Sequence, residues 1–422
     1  MQTGFSKVDI TPKPGVELSG YGYFLGRTAR RVLDPLFARA VSFRHNGKTI
    51  LLIDCDLVGL DAKTVQTVKD SLKGEYGLES KDIMLLSIHT HSGPAVATLS
   101  GCGEVDAEYV SGLAEKFILA AKEALQSMKR VEGVSHFVQD FEGIGYNRVL
   151  GDDGPVDARI RGIIFEREGA RPLVLINYAC HPVVLGRNEE ISADYPGQVV
   201  AAMDDMGYEA VFLNGFCGDI DPAINRISWG SGTAETIKEY GKKIADAALE
   251  GIRNSSPLTD LTLDAMEIAV ELPLQIPDRD AILEEMKEAE AIQTENPGYA
   301  RIIQEWNSKL LSEIQAGTLP KTECEVVHLF RIGDVLLVGF PGEAFTRLGL
   351  MIKEAFPDRN IMTLGNANVV MRYIPTADDI QRRGYAGYAS CRIYSRLPLE
   401  PGAGEKLAET AIAGIRGFIH EI

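Results

Sequence analysis

Residues 83–94 read IMLLSIHTHSGP, an apolar strand-like run from Ile83 to Ile88 that stops at His89-Thr90-His91-Ser92-Gly93-Pro94. The same event recurs four times. Leu173 to Ala179 leads to Cys180-His181-Pro182, and Ala210 to Leu213 leads to Asn214 and then Gly218-Asp219-Ile220-Asp221-Pro222. Val335 to Phe340 leads to Pro341-Gly342-Glu343, and Asn360 to Leu364 leads through Asn366 and Asn368 to Tyr373. Each apolar run ends in turn-forming residues that carry a metal-ligand or acid–base side chain. In open α/β sheets, sites form outside the carboxyl ends of strands, so these distant segments are expected to converge on one cleft.

The stretches between the runs have helical periodicity. Apolar positions over 61–73, 107–127, 192–206 and 233–253 fall on one helical face, and they alternate with the strands as in an α/β protein. Asn46-Gly47, between Ala38–Phe43 and Thr49–Ile53, predicts a tight hairpin, and 261–273 alternates as a half-exposed strand. Residues 278–316 are rich in Glu, Lys and Gln, with Ile303, Trp306, Leu310 and Ile314 on one face. They predict a helical hairpin broken near Asn296-Pro297-Gly298, an excursion placed to cover a cleft. The expected fold is a mixed β-sheet core flanked by helices, with 1–422 as a single domain.

The 422 residues are 45% hydrophobic and 24% charged, which excludes a disordered or fibrous chain. Sixty acidic against 43 basic residues give a net charge of −17, which opposes binding to nucleic acid or anionic lipid. No apolar stretch approaches the roughly 18 residues of a membrane span. The start has no secretion-signal pattern, although a stripped signal peptide would leave the same start. The six cysteines form no CxxC pair and read as reduced thiols, so a cytoplasmic location is expected.

His89, His181 and Glu343 make two imidazoles and a carboxylate, the ligand class of many catalytic zinc hydrolases. His91, two residues from His89, projects to the same side if the strand still holds there, as a partner facing the metal's outer shell or the substrate. Manganese and iron accept the same donors; zinc is the expected ion. Each piece also has a plainer reading. His181 suits a core strand end, Glu343 a helix N-terminus, Asp219 and Asp221 an Asx turn, and Tyr373 and Tyr385 packing aromatics. His45, His136, His328 and His420 sit in contexts that suggest no chemistry.

These blocks, together with Gly4-Phe5-Ser6-Lys7-Val8-Asp9-Ile10-Thr11-Pro12, Gly20-Tyr21-Gly22, Asn147-Arg148, Asn177-Tyr178-Ala179-Cys180-His181-Pro182 and Gln381-Arg382-Arg383-Gly384-Tyr385, give the chain a resemblance. In their order and spacing it resembles the neutral/alkaline, non-lysosomal ceramidase family across most of residues 4–394. The resemblance implies a ceramidase-like catalytic domain with zinc held by His89, His181, Glu343 and Tyr373, and substrate-facing roles for His91, Arg148 and Tyr385. It also marks two departures. Asp221 stands where the family carries a serine essential for amide cleavage, and no room remains beyond Tyr394 for the immunoglobulin-like domain of larger members. The expected activity is therefore zinc-dependent hydrolysis of an amide or ester of a small-molecule or lipid-like acyl substrate, with Asp221 a further candidate catalytic residue. Ceramide itself is in question. The alternatives are an esterase or lactonase acting on a soluble sugar or small acyl compound, and a non-catalytic zinc-stabilised binding protein.

Overall fold

The computed structural model describes residues 1–22, 26–97 and 99–420. Its largest sheet has nine strands. Along one path the order is Glu209–Asn214, Leu173–Tyr178, Arg159–Arg167, Lys129–Asp140, Gln2–Asp9, Phe37–His45, Lys48–Cys55 and Ile83–Ser87, and Ser256–Pro257 pairs with Lys129–Asp140. The outermost pair at each end is parallel and the path between is antiparallel. A four-stranded sheet follows, ordered Leu263–Pro273, Thr322–Ile332, Val335–Gly339 and Asn360–Leu364, with only the last pair parallel.

The two sheets pack face to face. Side-chain parity shows it: Ile50, Leu52, Met84, Leu86, Leu173 and Leu175 meet Phe330, Ile332, Val335, Leu337, Met362 and Leu364 in one dry layer. Their neighbours Leu51, Ile53, Ile83, Leu85, Val174 and Ile176 point the other way, into a core with Phe117 and Ala121 of Ala107–Gln126 and Ile244 and Ala248 of Ala234–Arg253. On the smaller sheet, Val327, Leu329, Leu336, Val338 and Ile361 turn outward against Leu407, Ala411 and Ile415 of Ala403–His420. The layers run helix, sheet, sheet, helix. Burial on both faces explains why these strands read as continuous apolar runs.

The local expectations hold. Asn46 and Gly47 have φ of 46° and 81° and join the paired residues His45 and Lys48, as a two-residue hairpin requires. The expected excursion is two helices, Arg279–Ala291 and Pro297–Ala316; the Asn296 side chain caps the second and Pro297 opens it. None of the six cysteines is disulfide-bonded. Among the described residues no helix is long and apolar enough to cross a membrane.

His328, fully buried, stitches the strand ends. Its Nε2 lies 2.8 Å from the Lys81 carbonyl oxygen, and the Asn368 amide Nδ2 lies 3.1 Å from its Nδ1. Nε2–H donates and Nδ1 accepts, so the ring is neutral. Burial first, then Lys69, pushes its pKa down to about 4, against the pull of Glu267. An unfolded histidine takes up its proton near pH 6.5. Between that pH and about 4 the unfolded chain therefore binds a proton that the folded chain refuses. The stability this group contributes is present above pH 6.5 and is lost as the pH falls, by up to about 3 kcal/mol. Urea unfolding at pH 7.5 and 4.5 should show the loss in the wild type and a smaller one in His328→Gln; equal losses would place the proton uptake elsewhere.

Candidate metal centre

The site lies where the parallel strands end. Beyond Ser87, His89 adopts φ 71°, held by its backbone N–H to the Leu57 carbonyl at 2.9 Å. A left-handed backbone is costly for a residue with a Cβ and is tolerated where the surroundings enforce it. The strand therefore does not continue through His89 to His91, as the same-side expectation supposed. The turn brings the two rings together instead, with centroids 4.9 Å apart. His181 follows Leu173–Tyr178, and its ring lies 5.2 Å from that of His89 and 5.9 Å from that of His91. One ring nitrogen from each of the three histidines falls within 4.8 Å of the others.

Two short ladders bring in the rest. Glu343–Ala344 pairs in parallel with Tyr373–Ile374, with Glu343 opposite Tyr373. Gly145–Asn147 pairs antiparallel with Ile220–Pro222, which sets Arg148 beside the Asp219–Asp221 turn. Gly218 is required at this crossing, since a Cβ there would lie 2.4 Å from the Glu343 carbonyl oxygen.

The protons are assigned by the partners. His89 Nδ1 lies 2.5 Å from the Val58 carbonyl oxygen, and His181 Nδ1 lies 2.6 Å from that of Cys217. A carbonyl oxygen only accepts, so both Nδ1 atoms carry the proton and both Nε2 atoms present lone pairs. Those lone pairs face one carboxylate oxygen, Glu343 Oε2, at 3.2 and 2.9 Å. Burial, followed by Arg148, lowers the His181 pKa, so protonation of that ring is disfavoured. Burial alone would raise the Glu343 pKa, but positive charge on the His89 and His181 side outweighs it and lowers it well below its usual range. The His91 pKa is pushed well down by burial and then by His89 and His181, and among the described residues neither of its ring nitrogens has a hydrogen-bond partner. Buried lone pairs converging without a proton to share are what a divalent cation satisfies, and carbonyl-bound Nδ1 atoms are the usual orientation of metal-ligating histidines.

No protein-family model matches the chain, and no curated protein matches its sequence. Among solved structures, the neutral ceramidase from Pseudomonas aeruginosa matches with a TM-score of 0.77 at 18% identity, covering 98% of this chain and 74% of that one. A structure of ceramidase complexed with C2 gives 0.77 at 17% identity, covering 98% and 75%. The chain has the neutral ceramidase fold.

On this ceramidase fold His89, His91, Arg148, His181, Asp221, Glu343, Tyr373 and Tyr385 meet in one cluster. Arg148 donates from Nη1 to Asp221 Oδ1 at 3.1 Å, and from Nη2 to the Gly218 carbonyl at 2.8 Å and the Tyr373 hydroxyl at 2.9 Å. Burial raises the Tyr373 pKa well above the ordinary value although Arg148 opposes it. Tyr385 is 47% exposed and lies edge-on to Tyr373, with centroids 5.6 Å apart. Asp219 does structural work: it accepts from Asn147 Nδ2 at 2.7 Å and from the Thr346 backbone N–H at 2.7 Å, tertiary bonds in place of the Asx turn its sequence suggested. His45 and His136 lie outside this cluster, as does His328, while the side chain of His420 lies outside the described residues.

Sequence reasoning missed two features. Tyr394 donates its hydroxyl proton to Glu343 Oε1, so both oxygens of that carboxylate are engaged; only the crowding of tyrosines at 385, 388 and 394 hinted at it. Tyr21, at φ 56°, lies edge-on to His91 at 4.8 Å, with the half-exposed Trp229 edge-on to it at 5.1 Å. Gly20, at φ 84°, makes this wall possible, because a Cβ there would lie 2.4 Å from the His91 ring. Gly20→Ala is therefore expected to displace His91 and weaken divalent-ion binding at least about tenfold. Calorimetric zinc titration of chelator-treated protein checks this.

Proposed function

We propose that the chain is a metal-dependent hydrolase that cleaves an amide or ester bond, with zinc as the ion. The observation that carries this reading is the convergence of the His89 and His181 Nε2 lone pairs on Glu343, beside a His91 whose ring nitrogens have no hydrogen-bond partner among the described residues. His89, His181 and Glu343 would hold the ion, with Tyr373 as the fourth ligand the resemblance implies. A bound zinc supplies Lewis acidity, lowering the pKa of a water toward about 7 and polarising a carbonyl.

The chain's own residues then have separate tasks. Tyr394 holds the Glu343 carboxylate through Oε1, while the two imidazoles turn their Nε2 lone pairs toward Oε2, where the ion would sit. Arg148, gripped by Asp221 and the Gly218 carbonyl, presents a fixed guanidinium beside Tyr373, where a carbonyl or anionic group of a substrate would dock. Tyr385, at the exposed side, and His91 can direct hydrogen bonds at the developing oxyanion. The ceramidase names of both solved structures of this fold support an acyl substrate.

One observation favours a soluble ester, lactone or small acyl-amide over ceramide. Asp221 lies 3.1 Å from Arg148, so the position where the family has a serine offers a paired carboxylate and no hydroxyl. A binding protein with purely structural zinc fits less well, because structural sites are usually closed by Cys and His and have no use for Arg148 and Tyr385.

Metal analysis should find about one zinc per chain, and chelation should abolish hydrolysis of a panel of N-acyl and O-acyl compounds, with zinc restoring it. His181→Ala should lose the metal and at least about a hundredfold in kcat/KM. A metal-free, fully active protein would refute the reading. Ester turnover without turnover of N-acyl sphingoid bases would select the soluble-substrate branch.

A further inference from the structure

The helical excursion has no part in building the sheet. Pro273 and Thr322, the residues that bracket it, are directly paired in the antiparallel ladder, so a tight turn would have joined them. Its inner face meets the segment that carries Tyr385 and Tyr394. At the centre is Glu285, whose side chain is 13% exposed. Its Oε1 accepts from Arg383 Nη2 at 2.8 Å and from the Tyr388 hydroxyl at 2.6 Å. Its Oε2 accepts from Arg392 Nη2 at 2.9 Å and from Asn307 Nδ2, on the second helix, at 3.3 Å. Arg392 also reaches that second helix, donating from Nη1 to the Tyr299 hydroxyl at 3.1 Å.

The segment so gripped has little stability of its own. It is one turn of π-helix, Tyr385–Ala389, followed by the four-residue helix Cys391–Tyr394. Left-handed residues bracket it, Arg383 at φ 52° and Ser395 at φ 52°. Helices this short do not persist unaided, and π turns recur where a side chain must be placed against regular geometry. Two of the side chains it places are Tyr394, on Glu343, and Tyr385, against Tyr373.

We propose that Glu285 is a positioning residue of the site: it latches the 385–394 segment to the helical hairpin and through it holds Tyr394 on Glu343. The role rests on the metal-dependent reading above, but the latch can be measured without it. In the full-length chain freed of metal, hydrogen–deuterium exchange of residues 385–394 should quicken at least about tenfold in Glu285→Ala, with the strands Ile83–Ser87 and Leu173–Tyr178 as protected as in the wild type. Unchanged exchange in the segment overturns the proposal. Tyr388→Phe, which removes one of the four hydrogen bonds, should give a smaller change of the same sign and serves if Glu285→Ala does not fold. In zinc titrations Glu285→Ala and Tyr394→Phe should each weaken affinity about tenfold, and the double variant no more than the weaker-binding single, because both act through one contact. Additive losses overturn the proposal. A wild-type chain that binds no divalent ion defeats the functional reading, and the exchange experiment still decides the latch.

Discussion

Two-sided burial of the central strands is the constraint from which the site follows. The larger sheet has helices on one face and the smaller sheet on the other, so alternate residues of a strand such as Ile83–Ser87 both enter dry cores. Few polar side chains can be accommodated along such strands without a partner. Functional groups are pushed to the ends, where the chain leaves the sheet and turns. Three of the four edge strands of the two main sheets run parallel to their neighbours, so several of these ends emerge on the same side.

At that edge, electrostatics takes over from packing. Glu343 is buried, with the Tyr394 phenol donating to one oxygen and the lone pairs of two imidazole nitrogens facing the other. His89 and His181 are each oriented from behind by a backbone carbonyl, which sets ring rotation and tautomer. The backbone accommodates this with a left-handed His89, a left-handed Tyr21 and glycines at 20 and 218 where chains cross too closely for a Cβ. Such local cost at a cluster of unpartnered nitrogens is the pattern of a preorganised site.

Much of this was legible in the order of residues. The apolar runs, their abrupt ends, the Asn46-Gly47 hairpin and the amphipathic pattern of 278–316 are local signals, and periodicity reads local signals well. Tyr373 and Arg148 entered through resemblance, because a tyrosine 30 residues beyond Glu343 has no periodic relation to it and acquires one only in a two-residue ladder. The tyrosine cluster around Tyr394 and the Gly20-Tyr21-Gly22 block carried no sign of what they contact, and Glu285 left no trace that spacing could expose. The geometry expected for His89 and His91 was a straight strand, and the left-handed turn at His89 replaced it.

The sequence by itself determined the element types and the ligand chemistry, since periodicity of burial and the donor atoms of His, Glu and Tyr are properties of the residues themselves. Only the tertiary structure decided which nitrogens face Glu343, which carbonyls fix their protons and which phenol braces the carboxylate. Those relations span up to 254 positions between His89 and Glu343. They are set by how two sheets pack and which strand ends meet, and no local pattern along the chain encodes that distance.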